Sequence, residues 1–90
     1  MSLGVDFGTA LQALKDGYRA ARLGWNGAGQ FVYYVPGGDY TVQTEVARQA
    51  FGQTAHYRPY LALRTAQGDV ATWVTSVSDC QAEDWIVLED

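Results

Sequence analysis

Tyr60-Leu61-Ala62-Leu63-Arg64-Thr65-Ala66-Gln67-Gly68-Asp69-Val70-Ala71-Thr72-Trp73-Val74 reads as a β-hairpin. Large and small side chains alternate through Thr65, Ala66 to Asp69 supplies turn chemistry, and Val70 to Val74 resumes a β-branched and aromatic run. Such a hairpin implies an antiparallel sheet, and the flanking segments extend it. Upstream, Gln30 to Val35 is a strand rich in aromatic and β-branched residues. It follows the short mixed segment Tyr18-Arg19-Ala20-Ala21-Arg22 and a turn in which Gly24, Gly27 and Gly29 bracket Trp25-Asn26, giving a second hairpin. Downstream, Ser76 to Asp84 is a polar connection, and Trp85 to Leu88 is a last short strand.

Towards the N-terminus the period changes. Phe7, Leu11, Leu14 and Tyr18 recur at steps of four, three and four, which places them on one side of a helix. Asp6 is the expected N-cap and Gly17 the left-handed stop, so the helix is predicted over Phe7 to Asp16. In the middle, Pro36-Gly37-Gly38-Asp39 is expected to turn. Val42, Val46 and Gln49 or Ala50 suggest a short helix, and Gly52 to Ala55 reads as loop. The order implies an α+β domain: one N-terminal amphipathic helix packed on a mostly antiparallel β-sheet of short strands. Residues 1–90 are expected to form a single domain.

Ninety residues leave little room to enclose a large ligand, so a sizeable site must be shallow or shared between copies of the chain. No stretch is apolar and charge-free over the roughly 20 residues a membrane helix requires, and no membrane partner is expected. Six Lys+Arg against ten Asp+Glu give a net charge of -4, which opposes counterion-driven binding to long nucleic acids. A small phosphorylated ligand remains compatible, because a few arginines and backbone N–H groups in one pocket outweigh a negative average. The lone Cys80 forms no intrachain disulfide and nothing resembles a signal peptide, so a cytoplasmic protein is expected.

No enzyme class announces itself. His56 and Cys80 are single residues far apart in sequence, which chance alone supplies. No His/Cys cluster offers a metal site, and Glu83-Asp84 more simply accept backbone N–H bonds. P-loop, dinucleotide and nucleophile-elbow motifs are absent, and no cofactor is expected. The tryptophans stand out instead. Trp25, Trp73 and Trp85 each lie beside turn or polar residues, and an indole offers a flat face for a base and an N–H that needs a partner. Trp85, just before an apolar strand, reads as core, whereas Trp25 and Trp73 suit core or ligand equally. Arg19, Arg22, Arg58 and Arg64 are candidate phosphate contacts, against a plain reading as solvated surface. Asn26 and Asp79 could read a base edge or a ribose hydroxyl, against a plain reading as turn caps.

Four pieces together carry a resemblance: the helix starting Asp6-Phe7-Gly8, Ala21-Arg22-Leu23-Gly24-Trp25-Asn26-Gly27, the hairpin from Tyr60 to Gly68, and Ala82-Glu83-Asp84-Trp85. In this order they resemble a small-domain family common in phages and prophages, formerly a domain of unknown function. It includes the second type of Thoeris anti-defence protein. The resemblance implies a homo-oligomer, a tetramer or dimer, that sequesters a cyclic ADP-ribose signal from TIR-domain enzymes without cleaving it. Some relatives hold cyclic dinucleotides. It implies pockets between subunits and, for a phage-encoded protein, action in the host cytoplasm. Carried onto this chain, it places Arg22, Trp25, Asn26, Trp73, Ser78 and Asp79 at or near the pocket. Trp25 or Trp73 would stack on adenine, Asn26 and Asp79 would bond to ribose or base edges, and Arg22 would face the pyrophosphate. Two other readings stand beside it: a phage structural or interaction domain with no small-molecule ligand, and a hydrolase using His56 or Glu83 as base.

Overall fold

The computed structural model describes residues 4–25 and 29–88. In chain order the elements are α1 (Phe7–Lys15), β1 (Arg19–Arg22), β2 (Phe31–Val35), β3 (Gly38–Thr41), α2 (Glu45–Phe51), β4 (Thr54–Tyr57), β5 (Tyr60–Arg64), β6 (Val70–Trp73), α3 (Val77–Gln81) and β7 (Trp85–Leu88). Five strands form a sheet in the order β6-β5-β2-β1-β7, with every ladder antiparallel. Strands β3 and β4 pair separately. This is the α+β architecture that the hairpin and helix patterns implied.

Helix α1 begins where Asp6 accepts the Thr9 N–H at 2.8 Å. It ends at Gly17, whose φ of 100° lets Gly17 N–H reach the Leu14 carbonyl and Tyr18 N–H the Ala13 carbonyl, each at 3.0 Å. Its inner side is Phe7, Ala10, Leu11 and Leu14, with Ala10 and Leu14 fully buried. Tyr18, expected on this stripe, lies past the helix end and is 43% exposed. The left-handed turn at Gly17 redirects the chain before the fourth contact forms.

The stripe packs on one face of the sheet, where Ala20, Val32 and Trp85 complete the core. Burying a side chain such as Leu14 or Val32 contributes about 1.5–3 kcal/mol, and Ala10 and Ala20 let helix and sheet approach closely. Val5 adds a bridge to β7, with Val5 N–H to the Trp85 carbonyl at 2.7 Å and the reverse bond at 3.1 Å. Gly4 permits it, because a Cβ there would lie 2.6 Å from both Asp84 Cα and the Glu83 carbonyl oxygen. Trp73 and Trp85 sit on the two opposite edge strands, yet their ring centroids are 5.9 Å apart. The twisted sheet therefore coils along that diagonal and brings its edges together on the helix side.

Three segments differ from the sequence reading. Gly38 and Asp39, expected in a turn, open β3, and Thr54 and Ala55, expected in a loop, open β4. Val42, expected in a helix, is buried with Ala55 in a small core of their own, beside the edge-to-face pair of Tyr40 and Tyr57. The helix begins later, at Glu45, where Thr44 Oγ1 accepts the Ala47 N–H at 3.1 Å. The resulting β3-α2-β4 arm belongs to a molecule 54 Å long and 28 by 26 Å across, and α2 buries no residue. The third difference is α3, where a polar connection was expected. Among the described residues no helix is long and apolar enough to cross a membrane.

Candidate ligand site

Three chain segments meet on the helix-bearing side of the sheet: the turn after β1, the end of β6, and α3 with the start of β7. Trp25 comes from the first, held by its N–H to the Arg22 carbonyl at 3.2 Å. Trp73 ends β6 and Trp85 begins β7. Trp25 stands edge-on to Trp73 (centroids 6.4 Å, 62°) and to Trp85 (5.5 Å, 75°), and Phe7 packs on Trp73 and Trp85 at 6.3 and 5.3 Å. Such tilted pairs suit the ring quadrupoles and add about 0.5–1.5 kcal/mol each beyond area burial. Trp85 is completely buried, as expected, while Trp25 and Trp73 are half-buried.

Helix α3 is fixed beside this cluster by polar bonds. Ser76 Oγ accepts the Asp79 N–H at 3.1 Å and the Asp79 carboxylate accepts the Ser76 N–H at 3.3 Å, a reciprocal capping box. The Trp85 indole N–H donates to the Asp79 carbonyl at 2.9 Å, satisfying one of the orphan carbonyls of the helix's last turn. Arg22 then joins everything: its Nε donates to Asp84 Oδ1 at 2.8 Å and its Nη1 to Asp79 Oδ1 at 3.0 Å. Hydrogen bonding from Arg22 holds the Asp84 carboxyl below the usual carboxylate range. Burial raises that of Asp79, and the bonds from Arg22 and Ser76 outweigh it, leaving Asp79 lowered as well. The guanidinium is correspondingly held above its ordinary value, first by Asp84 and then by Asp79.

Of the residues singled out in the sequence, Arg22, Trp25, Trp73 and Asp79 thus lie in one connected cluster, and Ser78 is exposed on α3. Asn26 lies outside the described residues. Arg19 and Arg64 project from the opposite face of the sheet, where the Arg19 guanidinium lies 4.8 Å above the Phe31 ring and Arg64 Nη1 donates to the Gly29 carbonyl at 3.0 Å. Arg58 is exposed in the link between β4 and β5. His56, on the arm, bonds to Asp39 at 3.0 Å, and Cys80 contacts the Thr75 hydroxyl at 3.4 Å on α3, so each has its own neighbourhood. Glu83 is exposed. Among the described residues no three His, Cys, Asp or Glu side chains converge as metal ligands do.

The part of the cluster that sequence reasoning missed is the role of Asp84 and the helical state of residues 77–81. The spacing Ser76 to Asp79 was the available signal for the helix. Nothing local signals the ion pairs, since Arg22 is 57 and 62 positions from its two partners. A depression of about 670 Å³ lies elsewhere, on the polar flank of α1 between Asp6, Thr9, Gln12 and Asp16, where the carboxylates repel an anionic ligand.

Two comparisons bear on this arrangement. Residues 5–88 match the family model of the Thoeris anti-defense 2-like domain. The sequence is also 27% identical over 88 residues to "Thoeris anti-defense 2" of Bacillus phage SP01, an alignment covering 98% of this chain and 99% of that protein.

Proposed function

This chain belongs to the Thoeris anti-defense 2-like family, and from that premise we propose that it is a phage counter-defence protein that captures a cyclic ADP-ribose-type signalling nucleotide without cleaving it. The observation that carries the reading is the pair of half-buried tryptophans, Trp25 and Trp73, held rigidly on buried Trp85 beside a capped polar helix. Indole faces fixed in this way bind a base with little loss of side-chain freedom.

The ring geometry also favours a pocket shared between subunits. Trp25 and Trp73 meet edge to face, so they leave no parallel slot into which a base slides. A base stacks on the outer surface of one ring, and a second subunit of the oligomer supplies the opposite wall. Ser78, exposed on α3, would bond ribose hydroxyls or base edges in this reading, and so would Asn26. Arg22 holds the wall together: two of its nitrogens already donate to carboxylates, and a pyrophosphate approaching it competes with both. Capture of this kind is stoichiometric and draws on stacking and hydrogen bonding alone.

Titration calorimetry against cyclic ADP-ribose isomers and cyclic dinucleotides, followed by denaturation and mass analysis of the released ligand, tests the proposal. Tight binding at fewer than one ligand per chain, with the ligand recovered intact, is expected. Recovery of a cleaved product would turn the reading towards hydrolysis. The absence of heat and of any tryptophan fluorescence change with every nucleotide would return Trp25 and Trp73 to the core of an interaction domain.

A further inference from the structure

Asp84 reaches each of the residues immediately before Trp25. Strand β1 pairs with β7 so that Arg22 stands opposite Trp85, and one further bond runs from the Leu23 N–H to the Asp84 carbonyl at 3.0 Å. The Asp84 side chain turns over the same stretch. Its Oδ1 accepts Arg22 Nε at 2.8 Å, and its Oδ2 lies beside Gly24, where a Cβ would stand 3.7 Å away. The charged form of this carboxyl is favoured first by the bond from Arg22 and, to a smaller degree, by the Gly24 N–H. With its carbonyl and both carboxylate oxygens, Asp84 thus meets Leu23, Arg22 and Gly24, and Trp25 is the next residue in the chain.

Asp84 is itself held from behind. Val5 and Trp85 bond in both directions, and Gly4 lies so close that a Cβ there would stand 2.6 Å from Asp84 Cα. Arg22 carries the frame onward to α3. Its Nη1 donates to Asp79 Oδ1 at 3.0 Å, while Asp79 Oδ2 accepts the Ser76 N–H at 3.3 Å and the Ser76 hydroxyl at 2.9 Å. The Arg22 and Asp84 side chains are 24% and 33% exposed, whereas Arg48 and Glu45, paired on α2, are 56% and 65% exposed. A pair as open as the second contributes little. In the sheltered pair the rigid, directional fork of the guanidinium fixes the geometry of what it joins.

We infer that Arg22 and Asp84 are positioning residues for the capture proposed above, on which this inference rests: they clasp the turn after β1, set the Trp25 ring against Trp73 and Trp85, and do not touch the nucleotide. Trp25 is otherwise held by its N–H to the Arg22 carbonyl at 3.2 Å and by edge-on ring contacts. Ring contacts of that kind persist over centroid separations of about 4.5–7 Å, which leaves the indole room to slide. The clasp removes that freedom, and a stacking surface set in advance need not be ordered when the ligand binds. Charge points the same way. Two carboxylates, those of Asp79 and Asp84, surround one guanidinium, so the group is negative as a whole and a diphosphate meets net repulsion there. Arg22 then acts through Trp25 and not on the pyrophosphate.

Asp84→Asn tells a clasp from a ligand contact, because the two predict opposite signs. The change keeps the size of the side chain but weakens the bond to Arg22 and leaves the guanidinium with a single carboxylate. An Arg22 that contacts the diphosphate would be freed, and affinity for cyclic ADP-ribose isomers in calorimetry would hold or rise. A clasp would loosen, and affinity should fall several-fold, towards the value for Trp25→Ala and not beyond it. Arg22→Gln breaks the same bond from the other end, so the double variant should bind no worse than the weaker single one. Arg22→Lys keeps the charge but lacks the fork, and should behave as Arg22→Gln. Fluorine NMR of the nucleotide-free chain labelled with fluorotryptophan reads the setting directly. The signal that Trp25→Phe removes should move or broaden in Asp84→Asn and in Arg22→Gln, with far-ultraviolet dichroism unchanged. A Trp25 signal that stays in place in both variants, an Asp84→Asn affinity equal to or above wild type, or an Arg22→Lys that binds like wild type would each overturn the inference. Failure of the functional reading looks different. A Trp25 signal that moves in a chain capturing no nucleotide refutes capture and leaves the clasp as the frame of Trp25, whereas capture by a chain whose Trp25 signal ignores both substitutions refutes the clasp.

Discussion

Trp85→Phe is the most informative single substitution in this molecule. The change keeps an aromatic ring against Phe7, Trp25 and Trp73 but removes the indole N–H that donates to the Asp79 carbonyl. Two costs add. Leaving a carbonyl at the edge of the core without its donor costs about 1–3 kcal/mol. The lost ring volume of a completely buried side chain, roughly 40 Å³, costs about 1 kcal/mol more at ~24 cal/mol per Å³ of cavity. The sum, about 2–4 kcal/mol, is large against the roughly 5–13 kcal/mol expected for a chain of this length. At about 4–8 °C per kcal/mol, the midpoint of thermal unfolding should fall by roughly 8–32 °C. Differential scanning calorimetry measures that shift directly, and near-ultraviolet dichroism reports whether Trp25 and Trp73 have lost their fixed setting. Because the indole anchors α3, nucleotide affinity should fall together with stability. A midpoint lowered by less than about 4 °C would refute the placing of Trp85 as the anchor of both core and site.

Other perturbations follow from the same contacts. Ser76→Ala removes the N-cap of α3 and should cost about 1 kcal/mol in urea denaturation, with little change in the dependence on denaturant. Trp25→Ala should weaken nucleotide binding about 5- to 150-fold, since one base stack is worth ~1–3 kcal/mol, and calorimetry would read this as a loss of affinity with stoichiometry unchanged. The carboxyls of Asp79 and Asp84 are held below their ordinary values in the folded chain. Their contribution to stability is therefore complete above the unfolded carboxylate value near 4 and is lost as pH falls below it. Thermal midpoints measured from pH 7 to 2.5 should fall at the acid end, and Arg22→Met should remove part of that fall. An identical acid dependence in the two proteins would show that the pairs with Arg22 contribute nothing.

What the sequence reveals and what it hides divide along physical lines. Helix α1 is legible because its capping residue, its apolar stripe and its glycine stop are all local, and the β5-β6 hairpin is legible for the same reason. The arm is illegible because β3 and β4 are four residues each and mostly exposed, so they lack the alternation that burial imposes. Gly38 and Asp39 carry turn propensity that pairing with Tyr57 and His56 overrides. Within the site, the aromatic members announce themselves by type, and the structure assembles Trp25, Trp73 and Trp85 from three separate segments. The bonds of Arg22 to Asp79 and Asp84 depend on a sheet order that places β7 beside β1, a pairing that closes the chain's two ends together. Sequence spacing contains no trace of that closure.

The two faces of the sheet use aromatic residues for different purposes. On the α1 side, Trp25, Trp73, Trp85 and Phe7 tie the turn after β1, the end of β6 and the start of β7 to the helix, so folding alone accounts for their packing. What folding leaves unexplained there is confined to the half-buried Trp25 and Trp73. On the other side, Phe31 packs on Tyr33 and under the Arg19 guanidinium, and among the described residues no helix seals them. The chain thus carries aromatic side chains on both faces of the sheet. If the chain captures a nucleotide as proposed, ninety residues cannot enclose it, and the opposite wall of the pocket has to come from outside the chain.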